Sequence, residues 1–319
     1  MDEHKPVLVE EVVEALGLRA AVGAAQSGLY VDATFGRGGH TARILDALGP
    51  DGRVLAIDRD PQAVEAARRR FHAEPRLLVV RAAFGALASL VAAHGQGRPV
   101  RGILFDLGVS SPQLDEAARG FSFQADGPLD MRMDPAHGQS AADWLRHATG
   151  DEIRDVIGTL GEERFAGRIA RAIVEARVRE PIATTAQLAQ VVSGAVRTRE
   201  RGKHPATRTF QALRMHVNDE LGELRRGLDA ALEVLAPDGR LAVISFHSLE
   251  DRIVKHFMRR EAQPDPAWAR LPVAPPFTPR LRLVGRKQRA GDAEVHANPR
   301  SRSAILRVAE RVSDADARQ

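Results

Sequence analysis

Three short apolar runs in this chain each stop on an aspartate, and their order constrains the fold more than any other feature. They are Leu29-Tyr30-Val31-Asp32, Val54-Leu55-Ala56-Ile57 with Asp58, and Ile103-Leu104-Phe105 with Asp106. Near-continuous apolar runs of this length read as strands buried on both faces, the habit of a parallel sheet. Two more runs fit the series: Leu77 to Val80, followed by Phe84, and Leu241 to Ile244, ending at Ser245-Phe246. Helix-compatible stretches lie between the first three, such as Pro61 to Phe71 with its proline at a first turn. Strands alternating with helices predict an α/β domain with a mostly parallel sheet covered on both faces.

The rhythm then breaks. Leu107 and Leu241 lie 134 positions apart, far more than one strand–helix–strand crossover uses. Much of the interval has helical periodicity. Phe165, Ile169, Ala172 and Ile173 share a face within Glu163 to Arg177, and Phe210, Leu213, Val217, Leu221 and Leu224 form a stripe within a helix expected over Ala206 to Leu224. Loops rich in Gly, Pro and Thr separate such pieces, notably Arg119 to Gly138 and Thr198 to Pro205. The reading is an inserted all-helical domain over 114–211, within a discontinuous sheet domain over 1–113 and 212–319. After a helix over Leu249 to Arg260, the β-like runs Arg280 to Val284 and Ser303 to Val308 would close the sheet with an antiparallel final strand. Ser313 to Gln319 are expected to fray.

The tip of the first strand carries Asp32-Ala-Thr-Phe-Gly36-Arg-Gly38-Gly39-His40. Glycines there let the backbone approach a ligand and open the next helix. Asp58, at the next strand tip, can accept both hydroxyls of an adenosine ribose. The glycine spacing departs from the G-x-G-x-x-G of dehydrogenases, and an acid precedes it. Asp32 would repel a pyrophosphate but could face the ammonium of a methionine moiety, so S-adenosylmethionine is the expected cofactor. Phe84 stands where the adenine edge would fall, and base stacking on an aromatic ring is worth roughly 1–3 kcal/mol.

The fourth strand tip reads Asp106-Leu-Gly-Val-Ser110-Ser111-Pro112-Gln113. It resembles the Asp/Asn/Ser-Pro-Pro turn of enzymes that methylate exocyclic amines of bases, which orients the amine toward the methyl group. Composition narrows the chemistry. The chain has no cysteine, which excludes disulfides, thiolate metal sites and the thiolate addition that methylation of a pyrimidine C5 requires. Only four of the 46 basic residues are lysine, leaving 42 arginines, which disfavours a lysine-centred ribose 2′-O site. Arginine forks pair well with phosphate.

The ordered motifs identify the chain as resembling the MraW/RsmH family, bacterial methyltransferases of N4 of a cytidine in small-subunit (16S) ribosomal RNA. The matching stretches include His4 to Leu8, Asp32 to Thr41, Ala56 to Gln62, Asp106 to Gln113, Arg119 to Phe123, Gly127 to Asp134, Gly161 to Phe165, Lys203 to Phe210, Ile244 to Arg252 and Asn298 to Ser303. They span nearly the whole chain; Pro264 to Glu294 matches least. The resemblance implies a Rossmann-like class I methyltransferase domain. It implies cofactor contacts from Gly38, Gly39, His40, Asp58, Phe84, Asp106 and Gln113, of which His40 and Gln113 come from the resemblance alone. Direct in-line transfer is implied too, with Asp106, Ser110, Ser111 and Pro112 as the groups that orient the target amine. The residues themselves leave another RNA or DNA exocyclic amino group open.

Other readings explain less. Ser245, His247 and Asp251 lack the G-x-S-x-G elbow of a hydrolase, and the eleven histidines show no ligand spacing, so no metal is expected. A nicotinamide oxidoreductase would explain only the fold, and a non-catalytic RNA scaffold only the arginines. Asp130 and Asp134 flank Met131 and Met133 in a loop that is either solvated or a wall of the substrate cleft. Three basic clusters are candidates for RNA contact: Arg164, Arg168 and Arg171; Arg197, Arg199, Arg201, Lys203 and Arg208; Arg280, Arg282, Arg286, Lys287 and Arg289. The expected partners are 16S rRNA or the small ribosomal subunit, with a homodimer compatible and no membrane. The polar, acidic N-terminus and the lack of a long apolar segment predict a cytoplasmic protein.

Overall fold

A computed structural model describes residues 6–18, 27–196, 204–273 and 275–313. The basic segment 197–203 and residues 314–319, singled out above, lie outside them. Among the described residues no helix is long and apolar enough to cross a membrane. The chain forms two compact units, 1–108 with 222–319, and 109–221.

The first unit is built on a sheet of eight strands: β1 Leu29–Asp32, β2 Arg53–Asp58, β3 Leu77–Arg81, β4 Val100–Asp106, β5 Leu235–Ser245, β6 Leu281–Leu283, β7 Gln288–Arg289 and β8 Ile305–Arg311. Its order is β3-β2-β1-β4-β5-β8-β6, with β7 also on β8. The first five strands run parallel, and β8 is antiparallel to β5. This is the expected α/β architecture with its antiparallel final strand; only the two-residue β7 had no counterpart in the sequence reading. Helices α1 Val9–Ala15, α2 Gly39–Ala47, α3 Pro61–Arg70 and α4 Leu87–His94 fall among the early strands. The α3 start follows from Pro61 at the first turn and from Asp60, whose carboxylate accepts the Gln62 N–H at 2.9 Å.

Two-residue periodicity divides the strands between two cores. Leu29, Val31, Ile103, Phe105, Leu241 and Val243 join one. Tyr30, Leu104, Ala242 and Ile244 join the other, with Val12 and Val13 of α1 and Ile44 and Leu45 of α2. Each fully buried side chain of this size contributes roughly 1.5–3 kcal/mol, so the sheet is held from both sides and its strand tips are fixed.

The second unit holds α5 Ser111–Asp115, α6 Ala141–His147, α7 Gly150–Gly161, α8 Ala166–Arg179, α9 Thr185–Ala195 and α10 Thr207–Val217. Its own core joins Ile153 and Ile157 of α7, Ile169 and Ile173 of α8, Leu188 and Val192 of α9, and Phe210 and Leu213 of α10. Reciprocal caps start two of these helices: Thr149 N–H donates to Glu152 at 2.7 Å, and Thr184 N–H to Gln187 at 3.0 Å. Met131 and Met133 are buried in this core, while Asp130 and Asp134 stay partly exposed and 135–139 are exposed. Asp130 is held by a two-pronged bond from Arg132.

The single helix expected over Ala206 to Leu224 is two. It ends at α10, and a new helix, α11 Glu220–Val234, leads into β5. Between them Asp219 adopts φ 47°, and the Asn218 side chain donates to Met131 O at 2.7 Å and Arg214 O at 2.9 Å while accepting from Met133 N–H at 2.8 Å. Phe210 and Leu213 therefore stay in the helical core, and Leu224 joins the sheet core. The helical unit accordingly extends to 109–221, beyond the 114–211 of the sequence reading, because α10 packs on α7 rather than on the sheet. Helices α12 Ser248–Ala262 and α13 Asp292–Ala297 complete the first unit.

Replacing Asn218 by Ala strands the buried Met133 N–H and Met131 carbonyl. At about 1–3 kcal/mol per orphaned group, urea unfolding should show a loss of about 2–5 kcal/mol. A loss below about 0.5 kcal/mol, the level of an ordinary surface change, would contradict this role.

Candidate active site

The carboxyl ends of β1, β2 and β4 bring together the residues picked out at the strand tips. After β1 the loop turns through Gly36 and Gly38, with φ 55° and 73°, a region that favours glycine. A Cβ on Gly38 would stand 2.5 Å from the Phe35 ring, and one on Gly39 would stand 2.9 Å from Pro6. Gly36 N–H donates to Asp58 at 2.8 Å, tying the loop to the β2 tip. The other Asp58 oxygen accepts the Asp60 N–H at 2.8 Å. Loss of water around Asp58 outweighs both bonds and pushes its pKa up to about 6.

His40, in the first turn of α2, is buried, and its Nε2 lies 3.4 Å from Asp106 Oδ2. This is an electrostatic contact rather than an aligned hydrogen bond: both His40 ring nitrogens and Asp106 Oδ1 are buried without a hydrogen-bond partner among the described residues. Burial opposes the His40 charge, but Asp106, with Asp32 and Glu294, outweighs it and holds the pKa above the ordinary value. Asp106 is set in place through its backbone N–H, which donates to Thr34 Oγ1 at 2.6 Å.

Asp32 is 1% exposed, accepting the Thr41 hydroxyl at 2.6 Å and the Thr34 N–H at 3.2 Å. These two bonds tie the β1 tip to the glycine loop and to the start of α2. Phe84 packs edge-on against Phe105 with ring centroids 5.4 Å apart and stays half-buried.

Sequence reasoning missed four supporting residues. Thr34 and Thr41 carry ordinary loop and helix signals. Glu223 accepts the Gly85 N–H at 2.9 Å, across 138 positions of sequence. Gly227 lets α11 approach, since a Cβ there would meet the Phe84 ring at 2.8 Å; a glycine inside a helical stripe was the signal available for it.

Ser110, Ser111, Pro112 and Gln113 follow Asp106 in the chain but belong to the helical unit. Gln113 Oε1 accepts the Ser110 N–H at 2.9 Å, fixing the turn at the start of α5. Of a conceivable hydrolase triad, Asp251 binds Arg307 at 2.7 Å, and Ser245 Oγ is buried without a hydrogen-bond partner among the described residues; the buried Glu250 accepts the Phe246 and His247 backbone N–H groups. Of the basic clusters, Arg164, Arg168 and Arg171 are exposed without carboxylate partners among the described residues. Arg280 and Arg282 instead pair with Glu261 and Glu310. Both guanidinium groups stay mostly exposed in these pairs.

S-adenosylmethionine fits this edge. The glycine loop admits close backbone approach, Asp58 suits ribose hydroxyls, Phe84 offers an aromatic side, and the orphaned polar atoms of His40 and Asp106 await donors and acceptors. A ribose held by Asp58 would donate best to the charged carboxylate, which would link binding to loss of the Asp58 proton. Affinity for S-adenosylhomocysteine should therefore strengthen as pH rises through about 6 and then level. Asp58→Asn, which leaves His40 in place, should weaken binding and remove that step. Calorimetry across this window checks it; a wild-type affinity flat through pH 6 would contradict it.

The sequence profile of the MraW methylase family matches residues 1–312. Curated relatives cover the chain at similar length. "Ribosomal RNA small subunit methyltransferase H" of Thiobacillus denitrificans is 56% identical over 316 residues, 98% of this chain and 99% of that protein. Its namesake from Xanthomonas euvesicatoria pv. vesicatoria is 54% identical over 309 residues, covering 97% and 89%. That from Aromatoleum aromaticum is 56% identical over 315 residues, covering 98% of each. Since profile and relatives both run nearly from end to end, the chain belongs to the MraW methylase family.

Proposed function

We propose that this chain transfers the methyl group of S-adenosylmethionine to the N4 exocyclic amine of a cytidine in small-subunit (16S) ribosomal RNA. The single observation that carries this reading is the near-full-length identity of about 55% to proteins named as small-subunit rRNA methyltransferases. The polar Asp106 and Ser110-Ser111-Pro112 sequence at the β4 tip supports an amine as the acceptor. The absence of cysteine leaves no route through a covalent thiolate adduct at C5.

When bound, S-adenosylmethionine supplies an electrophilic methyl on a sulfonium. The cofactor-binding residues in this reading are Gly38, Gly39, His40, Asp58, Phe84, Asp106 and Gln113. Asp58 holds the ribose, Phe84 flanks the adenine, and the glycine loop takes the methionine end. Asp106, Ser110, Ser111 and Pro112 orient the amine by accepting its hydrogen bonds, so that its lone pair lines up with the methyl carbon. The N–C bond forms as the C–S bond breaks, S-adenosylhomocysteine leaves, and the amine proton passes to water. No strong base is required beforehand, because the nitrogen becomes acidic only as it gains the methyl.

The target cytidine must be splayed out to react, which favours single-stranded or loop RNA. The exposed Arg164, Arg168 and Arg171 offer phosphate contacts on the helical unit. The partner is 16S rRNA or the small ribosomal subunit, in the cytoplasm. A homodimer is compatible, since every residue in this reading comes from one chain.

Small ribosomal subunits from a strain lacking the enzyme, incubated with labelled cofactor, should yield label in N4-methylated cytidine on nucleoside mass analysis. Label in a ribose, a ring carbon or another base would overturn the assignment. Asp106→Ala should lower kcat by about a hundredfold or more, the scale of losing reactant orientation. Unchanged turnover with unchanged cofactor affinity would remove Asp106 from the mechanism.

A further inference from the structure

A groove runs between α11 and α12 on the flank of the sheet unit, enclosing a volume of 470 Å³. Its α12 wall presents Arg252, His256 and Arg260, spaced i, i+4, i+8 on one helix face, and its α11 wall adds Arg225. All four are exposed. Leu228, Ile253 and Phe257 form an apolar floor, with the Arg260 guanidinium 5.4 Å above the Phe257 ring. The acid in the lining is Asp229, 3.5 Å from Arg260, which also meets Glu261 at 2.8 Å. Even so, cations exceed acids along the walls. Lys255 and Arg259 add exposed positive charge on α12.

The start of α12 lies toward the carboxyl edge of the sheet. Helix α12 leaves β5 at the sheet's carboxyl end, and β5 pairs with β4 so that Ile244 lies beside Asp106. Arg252 is in the first turns of α12, and Arg260 lies about 12 Å further along at ~1.5 Å per residue. Helix α11 also carries Gly227, packed against Phe84. The Arg225 and Arg252 end of the groove thus lies toward the carboxyl edge of the sheet, and the Arg260 end further down the flank. Its volume exceeds what a single small anion fills and falls within the roughly 300–1,000 Å³ of nucleotide-sized ligand sites.

We propose that this groove is a track for the RNA strand flanking the target nucleotide, with phosphates on Arg225, Arg252 and Arg260 and a base edge against the floor at Ile253. The inference rests on the rRNA reading above and adds a path for the substrate to it. Arginine on phosphate supplies most of the affinity and makes it salt-dependent, while an apolar floor tolerates any base. The fork of each arginine fits a phosphate better than an ammonium would.

The test uses the full chain and a fluorescein-labelled single-stranded oligoribonucleotide of roughly a dozen nucleotides with a central cytidine. The variant combining Arg225→Gln, Arg252→Gln and Arg260→Gln should bind it about tenfold more weakly. Its log–log salt dependence should be shallower by about 2, at ~0.7 per single-strand phosphate contact. Its affinity for S-adenosylhomocysteine should match wild type, its KM for small subunits should rise more than its kcat falls, and the triple Arg→Lys variant should restore most of the salt slope. RNA affinity and salt slope equal to wild type, with cofactor binding intact, overturn the track.

Photo-crosslinking of wild type with the same oligonucleotide carrying 4-thiouridine gives an answer even if the variant does not fold. Crosslinks in 220–234 or 248–262 support the proposal, and crosslinks confined to other segments overturn it. Displacement of the RNA by polyglutamate as effectively as by unlabelled RNA would assign the groove to an acidic protein segment instead. A wild-type protein that methylates no ribosomal RNA would sink the underlying reading. Normal wild-type methylation beside an indifferent triple variant would sink the groove alone.

Discussion

The hydrogen bond from Gly36 N–H to Asp58 joins the first strand's loop to the second strand's tip, and the cofactor edge depends on it. It holds the glycine loop in a left-handed turn that a side chain at Gly38 would block. That turn sets where α2 begins, and so where His40 meets Asp106. From beneath, Asp32 fixes the same loop by accepting the Thr41 hydroxyl. Asp58 is thus a brace, and in the proposed reading a ligand group as well. Loss of water resists its charge while two backbone donors favour it, and hydroxyl donors from a ribose would complete its shell.

Much of this arrangement was legible in the sequence. Apolar runs ending on Asp32, Asp58 and Asp106 announced parallel strands, because only a sheet covered on both faces buries such runs. Asp60-Pro61 marked a helix start through chemistry local to a few residues. The antiparallel closure followed from two late β-like runs. What stayed hidden was set by partners distant in sequence. The apolar stripe from Phe210 to Leu224 reads as one helix, yet Asn218 bonds to Met131 and Met133, 87 and 85 positions away, and the break follows. The bond that ties Asp32 to Thr41 across the loop was likewise not readable from residue type. Arg280 and Arg282 looked available, and their carboxylate partners could not be read from the segment that carries them.

The two units divide the work. The sheet unit has a core of its own and holds Gly38, Gly39, His40, Asp58, Phe84 and Asp106. The helical unit, with a separate core, carries the Ser110-Ser111-Pro112 turn, Gln113 and the exposed arginines of α8. The chain leaves the sheet unit at Gly108, whose φ of 104° suits glycine, two residues after Asp106. In the proposed reading, cofactor binding rests on the strand edge of the sheet unit, and the contacts to the acceptor are drawn from both units.

The most direct test of the central claim is a crystal structure with S-adenosylhomocysteine bound. Both ribose hydroxyls should lie within hydrogen-bond distance of Asp58, with adenine against Phe84 and the sulfur near the Asp106 end of β4. Well-defined ligand elsewhere on the sheet unit, with the glycine loop and Asp58 left untouched, would contradict the account.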